Sequence, residues 1–92
     1  MIVQDGCRIG VTQNVSYTGT AGVTTNAVNA DVVRLCATTA CYVKVGAAPT
    51  ATTSDMYLPA NQAEKFFITP GFKVSAIQAS AGGTISVTGC SQ

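Results

Sequence analysis

The stretch DVVRLCATTACYVKV, residues 31–45, decides the fold class. Val33, Leu35, Ala37, Cys41, Val43 and Val45 are small or apolar and occupy odd positions, whereas Arg34, Tyr42 and Lys44 fall on even ones. Successive side chains of an extended chain point to opposite faces, so this period-two alternation predicts two half-buried strands. The break at residues 38–40 predicts that the two form a β-hairpin. A three-residue loop there sets Ala37 opposite Cys41 and sends Cys36 to the other face. A four-residue loop, residues 37–40, sets Cys36 opposite Cys41 within bridging reach but mixes Arg34 with Val43 on one face. Register follows the buried face, which favours the first arrangement.

Upstream, residues 1–8 read as an N-terminal arm or edge strand, with Ile2 and Val3 as its apolar contacts, and residues 9–92 as a single β-domain. Ile9, Val11 and Val15 continue into a strand that Gly10 bends. Residues 16–30 are rich in Thr, Asn, Gly and Ala, with Val23 and Val28 marking at most a short strand. Downstream, the run GAAP at residues 46–49 breaks the ladder, because proline donates no hydrogen bond and restricts its predecessor. Met56, Tyr57 and Leu58 form an apolar patch that Pro59 ends. The expectation is that these three fold back to close the bottom of the core, with a partner contact as the alternative.

Residues 65–69, KFFIT, predict a strand whose Phe66 and Phe67 point to opposite faces, so that one ring enters the core and the other needs a cover. Pro70 and Gly71 turn the chain into residues 72–79, with Val74 and Ala76 inward and Lys73 and Ser75 outward. Gly82 and Gly83 supply the positive φ of a two-residue hairpin loop before the alternating Ile85 and Val87. The fold class is all-β: a small antiparallel β-sandwich or barrel of six to seven short strands.

A chain of 92 residues with a net charge of +1 carries no field that would steer nucleic acid or an anionic membrane toward it. Only 10% of residues are charged against 47% hydrophobic, a surface too weakly charged to keep small domains apart, which points to protein partners. No basic region precedes a long apolar stretch and no 18 apolar residues run together, so neither a secretory signal nor a membrane span is expected. The initiator Met suggests an unprocessed product, and synthesis in a reducing cytosol is the simpler expectation.

Histidine is absent, so a cysteine nucleophile has no base. Asp5, Asp31, Asp55 and Glu64 are scattered over turns and strand ends rather than paired for acid–base work, and Lys44, Lys65 and Lys73 lie in the polar phase of their strands. The glycine-rich residues 80–84 join two strands and lack a P-loop lysine. The four cysteines have no CxxC spacing for zinc; Cys7 and Cys90, near the two ends, are candidates for a disulfide staple. Asn14, Asn26, Asn29 and Asn61 would suit a sugar groove, though no tryptophan platform accompanies them. Catalytic residues, cofactor sites and metal sites are therefore all expected to be absent.

Residues 37–88, ATTACYVKVGAAPTATTSDMYLPANQAEKFFITPGFKVSAIQASAGGTISVT, resemble small structural proteins of tailed bacteriophages. The residues that carry the likeness are 37–39, Cys41, Val43, Gly46, 49–52, Ser54, 58–60, Phe66 or Phe67, Pro70, Gly71, Lys73, Val74, Ile77, Gln78 and 80–84, about the C-terminal two-thirds of the chain. The resemblance implies a virion component made in the bacterial cytoplasm, a head decoration or cement protein that binds the major capsid protein of an assembled shell, often as a homotrimer. A neck, tail or fibre component, or a small carbohydrate-binding β-module, is the alternative. The candidate interface residues are Ile2, Val3, Met56, Tyr57, Phe66 and Phe67.

Overall fold

A computed structural model describes residues 8–91, which form eight strands and no helix: β1 (Arg8–Tyr17), β2 (Gly22–Val23), β3 (Val32–Ala37), β4 (Cys41–Gly46), β5 (Met56–Leu58), β6 (Glu64–Phe67), β7 (Lys73–Gln78) and β8 (Gly83–Ser91). Two antiparallel four-stranded sheets pack face to face, one in the order β1-β8-β3-β6 and the other β2-β7-β4-β5. The all-β sandwich expected from the sequence is present, with eight strands in place of six or seven. The additional strand is β5. This strand order, with nearly every connection crossing between sheets, is that of a jelly roll. The proposed arm lies outside the described residues up to its last member, Arg8, which opens β1.

Both predicted hairpins are corrected. β3 and β4 do not pair: β3 lies between β8 and β6, and β4 between β7 and β5. β7 and β8 likewise belong to opposite sheets. The alternation was read correctly, since Val33, Leu35, Ala37, Cys41 and Val43 are all buried in one core. Two sheets that face each other present their apolar residues to the same interior, so period two alone cannot tell a hairpin from a corner between sheets.

The loop at residues 38–40 has three residues and leaves Cys36 half-buried on the outer face and Cys41 in the core, both as free thiols. Cys90 is disulfide-bonded; Cys7, the other half of the staple suggested by the sequence, lies outside the described residues.

The corners explain residues the hairpin reading misassigned. Gly83 has no positive φ; a side chain there would strike the hydroxyls of Thr38, Thr39 and Tyr17. The buried Tyr17 hydroxyl donates to the Thr39 carbonyl at 2.6 Å, and the Thr38 amide donates to the Thr84 carbonyl at 2.9 Å, so β1, the 38–40 corner and the start of β8 are tied together. Positive φ is needed at Gly71 instead, at 96° in the turn before β7.

Ser75 was expected outward, and by parity it is, yet it is buried. The loop at residues 47–55 folds over it: its hydroxyl accepts from the Ala51 amide at 2.9 Å and donates to the Gly22 carbonyl at 2.7 Å. At the end of β4, Val45 is exposed rather than part of the apolar stripe. Val28 does not extend β2; it bridges Phe72 on its own.

The core is built from Val15, Tyr17, Val33, Leu35, Ile85 and Val87 of one sheet and Cys41, Val43, Leu58, Val74 and Ala76 of the other. Burying a side chain such as Leu35 or Ile85 is worth about 1.5–3 kcal/mol.

Burial holds the Cys41 thiol above the usual thiol range, and its hydrogen bond with Tyr17 acts in the opposite direction. The unfolded chain therefore loses this proton first, and the stability Cys41 contributes is present below about pH 8.5 and declines as pH rises beyond it. We expect a thiol reagent to label Cys36 in the folded protein and Cys41 only after denaturation. Equal labelling rates would show that this part of the core is open.

Candidate interaction surface

Residues 65–67 are set by parity. Phe66 packs half-buried against the core, so Phe67 must point away from it. Phe67 is 84% exposed, the largest exposure of any large apolar side chain among the described residues. One ring packs against the core as expected, and no loop among the described residues covers the other.

On the outer face of that sheet, Phe67 lies opposite Val32, which in turn lies opposite Cys90. Val32 and Cys90 are buried although they point outward, whereas Phe67 at the end of the row is exposed. In the next row Lys65 stands directly opposite Arg34, with Thr88 beyond it. Two like charges side by side on a sheet are unfavourable. The rest of this face is flat and hydroxyl-rich: Thr12 and Thr88 share a hydrogen bond at 2.9 Å, and the Ser86 hydroxyl donates to the Asn14 side chain at 3.0 Å.

Met56 and Tyr57 lie on β5, at the edge of the opposite sheet. Only Leu58 of this trio closes the core; Met56 and Tyr57 are exposed, which corrects the expectation that all three fold inward. Tyr57 sits opposite Tyr42, and Tyr42 opposite Ile77, so an aromatic and aliphatic row crosses the outer face of this sheet. The two tyrosine rings meet edge to face with centroids 5.7 Å apart. Tyr57 and Phe67 thus face opposite directions on opposite sheets and form two surfaces, not one. Ile2 and Val3 lie outside the described residues.

Sequence reasoning missed Arg34, Val32, Tyr42 and Ile77 as neighbours of these residues. No local signal marks them, because cross-strand rows are set by register between strands distant in the chain.

A groove of about 520 Å3 opens where the loop at residues 26–31 meets β1, β8 and Pro70. Its polar side chains include Gln13, Asn26, Asn29 and Asp31. Gln13 is already engaged: its amide donates to the Asn26 carbonyl at 3.0 Å and accepts from the Asn26 amide at 3.1 Å. Among the described residues no group of three or more His, Cys, Asp or Glu side chains could hold a metal, and no helix is long and apolar enough to cross a membrane. Asp31 and Asp55 lie on loops, and Glu64 opens β6.

Comparison with protein-family models, curated proteins and solved structures finds no match.

Proposed function

We propose that this protein is a non-enzymatic virion structural protein of a tailed bacteriophage, a decoration or cement protein that binds an assembled head. The observation that carries the reading is Phe67, an aromatic ring left almost wholly in water at a sheet edge on a domain with few charges to keep it soluble. The residues of the phage-like resemblance support it, as does the jelly roll, an architecture shared by many viral capsid domains. Fold alone is a weak argument for function.

Its partners on this reading are further copies of itself, in threes if the resemblance is followed, and the major capsid protein or another virion protein. A cement protein binds the assembled shell and not its dispersed subunits, and so stabilises the shell by mass action. The expected result is that purified heads lacking the protein bind it saturably and survive heating or osmotic shock better once coated. Heads that bind none of it, or bind it without gaining resistance, would remove the decoration reading. Gold-labelled protein found at the neck, tail or fibres would move it to the alternative virion role.

A second reading, a carbohydrate-binding module, draws on the exposed Tyr42 and Tyr57 pair, since jelly rolls also serve as lectins and aromatic faces stack on sugars. A glycan array without signal disposes of it.

A further inference from the structure

We infer that two copies of this chain join through their β6 edges, forming one continuous eight-stranded sheet across a two-fold axis. The inference rests on the proposal that the protein works as an assembly, and names the contact between its copies.

β6 is an end strand of its sheet, and its backbone pattern shows what the free edge presents. The Ile68 amide donates to the Asp31 carbonyl at 2.8 Å, in register with the β3 and β6 ladder. Bonded and non-bonded pairs alternate along an antiparallel ladder, so Phe66 and Glu64 also bond toward β3. The N–H and C=O groups of Lys65 and Phe67 therefore point outward, away from the sheet.

The other three edges are blunted in ways that discourage pairing. β1 has an irregular register between Ile9 and Thr12, β2 has two residues, and β5 has three followed by Pro59. β6 pairs regularly with β3 over all four of its residues, and although Glu64 and Lys65 charge its first half, its second half presents an exposed Phe67.

Self-pairing must match Lys65 and Phe67 of one copy with the outward groups of the next, which leaves three registers. Lys65 opposite Lys65 opposes like charges that already adjoin Arg34. Phe67 opposite Phe67 calls on Thr69, whose carbonyl already accepts from the Phe72 amide at 3.0 Å. Lys65 opposite Phe67 uses every outward group of both strands in four main-chain hydrogen bonds. It lays each lysine ammonium against the ring of the other copy and brings the two Phe66 side chains together on the inner face.

Such a contact is isologous and closes at two copies, so it gives a dimer where the resemblance implies a trimer. The number of copies separates the two. Sedimentation equilibrium of the full chain is expected to show a dimer that dissociates on dilution. Lys65→Pro, which removes an outward N–H and the ammonium but no hydrogen bond to β3, and Phe67→Ser should each raise the dissociation constant roughly tenfold or more with the circular dichroism of the native chain retained.

Hydrogen exchange on the unaltered protein avoids any folding defect of the variants: the Lys65 and Phe67 amides should slow as concentration rises, while that of Phe66 does not change. A monomer at every concentration, a trimer, a dimer indifferent to both substitutions, or concentration-independent exchange at Lys65 and Phe67 would each overturn the inference. Attachment to heads is a separate measurement: attachment without pairing defeats the pairing alone, and pairing without attachment defeats only the decoration reading.

Discussion

Leu35→Ala is expected to lower stability by about 2–5 kcal/mol, measured as a fall in the urea midpoint with an unchanged slope. Leu35 is fully buried on β3, one of the two strands flanked on both sides within its sheet, and is one of only two leucines in the chain. Truncation removes its contacts with the facing sheet and leaves a cavity that the small neighbours Ala37, Ala76 and Val87 cannot fill without moving the backbone. A domain of this length has a net stability of roughly 5–14 kcal/mol, so the substitution takes a large share of it. A change below about 1 kcal/mol would mean that the two sheets are not packed around this residue as described.

Ser75→Ala should cost about 1–3 kcal/mol for the Ala51 amide left without its partner, although it deletes a single oxygen. The Ser75 hydroxyl links the Ala51 amide of the loop at residues 47–55 to the Gly22 carbonyl of β2, and it does so out of water. Once the hydroxyl is gone, the Ala51 amide either stays buried and unpaired or pulls the loop away from the sheet, whereas the Gly22 carbonyl keeps its place in the ladder between β2 and β7. Proteolysis reports the second outcome: the variant should be cut within residues 47–55 under conditions where the native chain resists. A variant as stable and as resistant as the native protein would show that the loop does not depend on this clip. Ser75→Thr is the informative companion, since it keeps the hydroxyl and tests whether the space beneath Ala51 admits a methyl group.

The two substitutions also divide what was legible from what was not. The role of Leu35 follows from the alternation in residues 31–45, because a half-buried strand of period two admits only one set of inward residues. Ser75 fits the same alternation and was read as solvent-facing. Its burial depends on a loop 24 residues earlier in the chain folding across it. The same limit applies to the candidate surface. That Phe66 and Phe67 must separate, one in and one out, is dictated by backbone geometry. That Phe67 ends a row with the buried Val32 and Cys90, beside a Lys65 that faces Arg34, depends on register between strands some thirty residues and more apart.

By itself the sequence determined that this protein is all-β, which residues of β3, β7 and β8 face inward, and that Phe66 and Phe67 point to opposite faces. Each of these depends on local alternation and on proline and glycine breaks, which act within a few residues. The tertiary structure decided the rest: that most consecutive strands cross between sheets instead of folding into hairpins, that Tyr57 lies on the outer face of the sheet opposite to that of Phe67, and that β6 is an end strand among the described residues. A strand carries the same alternation whichever partner it takes. The choice of partner is made by the joint burial of both sheets in one core, to which every strand contributes and which no single segment encodes.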